Sequence, residues 1–158
     1  MDSLDKSAGE TWVVASTSGV NVRKSSDAGS SILGAFGLGS VIRVTQKVRN
    51  GDDVRGYAAC AKPGAGTWGK TEGWVTLEPC CKGTPSNWVV TASSLNLRKS
   101  ADAASKSLGL LPKNTQVTVT TIEKKESYTW GRVAYAHMPN DEWHMREGWV
   151  ALEYCKKA

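Results

Sequence analysis

The sequence has no long hydrophobic run, and its 158 residues include only one phenylalanine and two histidines. A bilayer-crossing helix needs about 20 consecutive apolar residues, so membrane insertion is not expected. The opening stretch, MDSLDKSAGE, is polar and lacks the apolar segment of a secretory leader. A soluble chain is expected, with its compartment left open. Neither a C-x-x-C pair nor a His-x-x-x-His spacing occurs among the four cysteines and two histidines, which argues against zinc. The formal charge of +5 is not concentrated: residues 20–80 carry 8 Lys/Arg against 5 Asp/Glu, and residues 95–155 carry 8 against 7. Nucleic-acid binders gather their basic residues into a stripe or patch, so no nucleic-acid partner is expected. Catalysis needs a nucleophile with its base, or paired carboxylates, in one pocket. His137 and His144 lie together in the second half of the chain and Cys60 in the first, so the chain reads as non-enzymatic, without cofactor or metal.

What is abundant points elsewhere. Glycine occurs 16 times and tryptophan 7 times, in a chain that is 40% hydrophobic and 22% charged. Glycine-rich turns between Val-, Thr- and Trp-containing runs predict an all-β protein. The stretch EGWVTLEPC (72–80) returns as EGWVALEYC (147–155), an offset of 75 residues. Setting residues 20–80 against 95–155 without a gap gives 22 identities in 61 positions. VNVRKSSDAGSSILG matches LNLRKSADAASKSLG, Gly56 matches Gly131, and Trp68 matches Trp143. Upstream, TWVVAS and NWVVTAS match at an offset of 76. A period of this length marks a duplicated structural unit. The expected organisation is a domain at 11–80, a linker at 81–87, a second domain at 88–155 and a disordered N-terminus at 1–10. In each copy the alternation of Val20-Asn21-Val22-Arg23 and Leu95-Asn96-Leu97-Arg98 predicts a strand with Val or Leu inward. Five or six short strands per copy, and no helix longer than a turn, are expected.

The ordered set VNVRKSSDAGSSILG…VIRV…EGWV, and again LNLRKSADAASKSLG…VTVT…WGRV…EGWV, resembles the bacterial-type SH3 (SH3b) domain. The resemblance covers nearly the whole chain outside the termini and linker. It implies two tandem small SH3-like antiparallel β-barrels that bind peptides or cell-wall peptidoglycan, a module often attached to a separate hydrolase domain. Three features depart from the family pattern. Repeat 1 has Arg55 where repeat 2 has Trp130, at a position that borders the family's groove. The segment before Gly-Trp-Val is long in both copies, ACAKPGAGTWGKTE and AHMPNDEWHMRE. Four cysteines are also unusual.

Trp12, Trp74, Trp88 and Trp149 stand in strand-like contexts at equivalent positions and read as core anchors. Trp68 and Trp143 stand in long loops, where they either meet a ligand or pack back on their own barrel. Trp130, with Tyr128 and Tyr135 on one strand, is a candidate groove wall. Rigid aromatic rings suit sugar faces, prolines and apolar side chains because they lose little entropy on binding. Asn96 and Arg98 are candidate ligand contacts. Their alternative role is local: Arg paired with a nearby acid such as Asp27 or Asp102, and Asn closing a turn. Cys60 could bridge to Cys80 or Cys81, or all four cysteines could be thiols, with Cys80 and Cys155 acting as small hydrophobes at a barrel edge. The leading functional expectation is a non-catalytic tandem binding module for a peptide, peptidoglycan or protein partner. The rival is a structural subunit held in a larger assembly through its aromatic-tipped loops.

Overall fold

A computed structural model of the chain describes residues 9–125 and 127–158. Contacts divide it into two compact units, Met1–Thr84 and Pro85–Ala158. The expected disorder at 1–10 lies outside the described residues as far as residue 8; Glu10 opens the first strand. Both units are built from antiparallel strands, and the longest helical feature among the described residues is one 3-10 turn, Leu152–Tyr154. The all-β expectation holds, and each sheet is of the SH3-like kind. No helix among the described residues is long and apolar enough to cross a membrane.

Unit 1 contains β1 (Glu10–Val14), β2 (Val20–Arg23), β3 (Ile32–Phe36), β4 (Val41–Asn50), β5 (Asp53–Lys62), β6 (Trp68–Gly69), β7 (Glu72–Thr76) and β8 (Cys80–Lys82), in the order β6-β3-β2-β7-β5-β4-β1-β8. Unit 2 contains β9 (Ser86–Val90), β10 (Ser94–Arg98), β11 (Ser107–Pro112), β12 (Gln116–Lys125), β13 (Tyr128–His137), β14 (Trp143–Met145), β15 (Trp149–Ala151) and β16 (Cys155–Lys157). Its order is β11-β10-β15-β13-β12-β9-β16, with β14 paired to β13. Eight strands per unit exceed the expected five or six because the Trp68, Trp143, Cys80 and Cys155 segments each form a short strand. Cys81, Lys82, Ser86 and Asn87, assigned to a linker by sequence, are strand residues; only residues 83–85 connect β8 to β9.

The inward alternation packs as the sequence predicts. Val20, Val22, Phe36, Ile42, Val44, Ala58, Val75 and Leu77 form the unit 1 core. Each has its partner 75 residues on in the unit 2 core: Leu95, Leu97, Leu111, Val117, Val119, Val133, Val150 and Leu152. Volume is traded between layers, since Phe36 and Ile42 shrink to Leu111 and Val117 while Ala58 grows to Val133, the kind of compensated change that cores tolerate best. Burying each of these aliphatic side chains contributes roughly 1.5–3 kcal/mol. Register shifts fall at Val44/Gln46 in β4 and at Val119/Thr121 in β12. An extra residue at such a point bends a long strand, letting the ten-residue hairpins curl over the core. Cys80 is buried opposite Val14, and Cys155 packs against the second core opposite Val90. The repeated cysteine is therefore a small apolar edge residue in both copies. Cys60 and Cys155 are free thiols, and burial pushes both up, Cys155 to about 11.

Glu10 ties three strands of unit 1 together. Its carboxylate accepts from Trp12 Nε1 at 3.1 Å and pairs with Lys47 and Lys82, each at 3.0 Å. Burial opposes ionisation, but these donors outweigh it and hold the carboxyl at about 2 against an ordinary 4.5. A depressed carboxyl stabilises the fold at pH above the unfolded value, and that contribution disappears as pH falls through the folded one. The denaturation midpoint of unit 1 is expected to drop between pH 4.5 and about 2. In Glu10→Gln the midpoint should start lower at neutral pH and lose that part of its acid dependence.

Candidate functional site

The two copies diverge most at one corner of the sheet, where β10, β13 and β15 meet. In unit 2 the indole of Trp130 is 3% exposed and packs with Ala101 and Ala151. Tyr128 meets it edge-on, with ring centroids 5.8 Å apart, and Tyr154 stands beside Tyr128 at 6.3 Å. Hydrogen bonding to Tyr128 pushes the Tyr154 phenol up. Together they bound a cavity of about 240 Å³ that Asn96, Arg98, Ser94 and Ala92 also line. A second hollow of about 390 Å³ shares Ala103, Tyr128 and Trp130 with it and runs on past Lys125, Ser127 and Asp102. The result is a groove with an aromatic floor, Asn96 and the cationic Arg98 in its lining, and Lys125 and Asp102 in its second hollow.

The same corner of unit 1 is made of different chemistry. By the 75-residue offset Tyr128, Trp130 and Ala151 correspond to Asp53, Arg55 and Thr76. Arg55 bonds Asp53 Oδ2 through Nε at 2.8 Å and Nη2 at 2.7 Å, and Thr76 Oγ1 donates to Asp53 Oδ1 at 2.8 Å. The Thr76 hydroxyl first, and then Arg55, lower the Asp53 carboxyl against the opposing effect of burial. The side chain of Arg55 is 11% exposed, so this ion pair fills the place that the aromatics line in unit 2. Pro79 stands where Tyr154 stands.

The residues singled out by sequence thus fall into three places. Tyr128, Trp130, Asn96 and Arg98 are brought together at the groove. Tyr135 and Trp143 form a separate cluster. The Trp143 indole stacks on the His137 imidazole at 4.1 Å and 9° between planes, Tyr135 lies 6.1 Å away, and His137 Nε2 bonds Asp141 at 2.6 Å. Trp68 belongs to unit 1 and is 57% exposed. Tyr128 and Trp130 share a strand face by their even spacing. An extra residue at Ala134, between the pairs Tyr135–Thr118 and Val133–Val119, returns Tyr135 to that same face, but five residues further along β13 it lies beside Trp143 and outside the groove. Trp130 is also floor rather than rim. Among the four tryptophans expected as core anchors, Trp12, Trp88 and Trp149 are partly buried against their clusters, and Trp74 meets Tyr57 edge-on at 5.7 Å; none is as buried as Trp130.

Among the described residues no acid pairs with Arg98. Its Nη1 donates to the Ser105 carbonyl at 2.9 Å, as Arg23 does to Ser30 at 2.7 Å, closing the loop after the strand. Asp102 and Asp27 accept from backbone N–H two residues on, so they form turns. Asn96 and Arg98 both line the cavity, with Asn96 Oδ1 held by Ser107 Oγ at 2.8 Å. Sequence reasoning missed Tyr154. Its signal was the mismatch with Pro79 inside an otherwise matching closing segment.

Residues 93–156 match the bacterial SH3 domain family, a stretch lying wholly within unit 2 and containing the groove. No curated protein matches the chain. Among solved structures, one described as the structure of NlpC2 from Trichomonas vaginalis is similar at 11% identity with a TM-score of 0.34, over 96% of this chain and 49% of that one. The chain therefore spans about half the length of that protein.

Proposed function

We propose that the chain is a tandem pair of SH3b-type modules, with domains at 11–80 and 88–155, and that it is a non-catalytic binder of a peptide or peptidoglycan-like ligand through unit 2. The observation that carries this reading is the Trp130 floor walled by Tyr128 and Tyr154, set inside the segment that matches the bacterial SH3 family. A cavity of about 240 Å³ is below the usual range for small-molecule sites, roughly 300–1,000 Å³. That size suits one or two residues of an extended chain with small side chains, lying over the indole. Asn96 and Arg98 then offer donors to backbone carbonyls or a carboxylate. The Arg55–Asp53 pair denies unit 1 an equivalent aromatic surface, so binding is assigned to unit 2.

The test is sedimentation of the protein with purified cell-wall peptidoglycan. Tyr154 is 43% exposed, so Tyr154→Ala should leave the melting temperature within a few degrees. It should weaken retention by about tenfold, the scale of a lost aromatic contact of about 1.5 kcal/mol. Retention unchanged in Tyr154→Ala, or retention of a fixed set of proteins with none of the wall, would instead favour the assembly-subunit reading.

A further inference from the structure

Two segments that the repeat makes equivalent are paired to different strands. In unit 1, β6 lies along the outer edge of β3, with Gly69 opposite Gly34 and Trp68 opposite Ala35. In unit 2 the corresponding β14 pairs with β13 instead, His137 opposite Trp143. Strand β11, the equivalent of β3, is consequently the end of its sheet, and among the described residues nothing pairs its outer edge. The glycine that makes room for β6 is nevertheless present in both copies. A Cβ on Gly34 would lie 2.3 Å from the Trp68 carbonyl and 2.9 Å from Gly69 Cα, whereas a Cβ on Gly109 would meet nothing within 4 Å. Gly34 is buried and Gly109 exposed. Beside it Leu110, at the position of Ala35, is 60% exposed.

We propose that the β11 edge of unit 2 is a second binding site, independent of the aromatic groove. It takes an extended peptide segment of a partner protein, laid antiparallel as β6 is laid in unit 1, with an aromatic residue opposite Leu110 and a glycine opposite Gly109. Main-chain hydrogen bonds hold such an added strand and side-chain pockets select it. In unit 1 the Leu33 carbonyl accepts from Lys70 N at 3.2 Å, and the Leu108 carbonyl is its counterpart. Further along, Gly37 N donates to Thr67 Oγ1 at 2.8 Å, but its counterpart Pro112 has no N–H to offer. The open edge is thus confined to Ser107–Leu111, long enough for about four paired residues.

Charge decides between occupants. Lys106 and Lys113 are exposed at the two ends of β11. A second copy pairing antiparallel through Gly109 and Leu110 would set Lys106 of each against Lys113 of the other, and like charges directly opposed are destabilising. A segment with acidic residues flanking the aromatic–glycine pair meets the same lysines favourably.

The experiment uses the full chain and two fluorescein-labelled peptides, EGTWGE and KGTWGK, in fluorescence polarisation. The acidic peptide should bind saturably and the basic one at least about tenfold more weakly. Leu110→Glu, an exposed change that leaves the core alone, should weaken EGTWGE by about tenfold or more, and Gly109→Ala should do the same by filling the space the incoming backbone needs. Tyr154→Ala should leave this binding untouched, which separates failure here from failure of the groove. No binding of EGTWGE, or equal binding by wild type and Leu110→Glu, would overturn the proposal. So would concentration-dependent dimerisation abolished by Leu110→Glu, which would give the edge to a second copy.

Discussion

Trp130→Ala is expected to destabilise unit 2 by about 3–5 kcal/mol, the cost of deleting a buried aromatic from a site that cannot collapse. The indole is 3% exposed and fills the space between Ala101 and Ala151, and two alanines cannot move in to replace it. For a unit of this size a urea slope of about 1 kcal/mol per molar turns that loss into a midpoint shift of about 3–5 M, or into unfolding without urea where wild-type stability is smaller, read from the amide spectrum of unit 2. Trp143→Ala should behave differently. Trp143 is 38% exposed and rests mainly on His137, so its removal should cost no more than about 1 kcal/mol. A loss below about 1 kcal/mol for Trp130→Ala would mean that the ring is not the floor of the groove.

The second large effect is expected at the repeated Gly-Trp-Val. Gly148 has φ +98°, and a Cβ there would stand 2.5 Å from Leu97 Cγ and 2.6 Å from Leu97 Cδ1. Gly148→Val combines a left-handed backbone forced on a β-branched residue, about 1–3 kcal/mol, with overpacking against a fully buried leucine, about 1–3 kcal/mol more. Together, about 2–6 kcal/mol, these match the roughly 3–5 kcal/mol that the core of so small a domain supplies. Unit 2 should lose its dispersed amide signals at room temperature in this variant. If Gly148→Val retains a melting temperature within a few degrees of wild type, the close approach of Leu97 to the Gly-Trp-Val strand is misplaced.

Both cores could be read from the sequence because their signal is local. Val20-x-Val22 and Leu95-x-Leu97 alternate with period two, and the offset of 75 transfers eight inward positions from one copy to the other. The closing cysteine could be interpreted for the same reason, since it ends a matched segment opposite a matched valine, Val14 or Val90. The groove was half legible. Trp130 and Tyr128 stood out as aromatics, and Arg55 stood out against Trp130, but the Asp53–Arg55–Thr76 network joins β5 to β7, a contact between strands that no local pattern encodes. Least legible was the fate of the long loops. Trp68 and Trp143 occupy the same place in the repeat, yet one lies on β3 and the other on β13. The run Gly64-Ala65-Gly66-Thr67-Trp68-Gly69 lets the backbone of unit 1 approach Gly34 and Gly37 closely, and Thr67 adds a side-chain acceptor for Gly37 N. Unit 2 has Pro139-Asn140-Asp141-Glu142-Trp143-His144 in the corresponding stretch, and this loop folds back on β13 through Met138 N to the Glu142 carbonyl and the His137–Asp141 bond. The outcome depends on tertiary packing, so comparing the two tryptophans alone could not reveal it.

The central claim is that ligand recognition belongs to the aromatic groove of unit 2. Its most direct test is a titration of the uniformly nitrogen-15-labelled chain with soluble peptidoglycan fragments, following the seven tryptophan indole N–H signals assigned by substitution. The Trp130 signal should move with ligand concentration while those of Trp12, Trp68 and Trp74 in unit 1 stay in place, and Tyr154→Ala should suppress the movement. Movement confined to Trp68 or Trp143, with Trp130 unchanged at saturation, would contradict it.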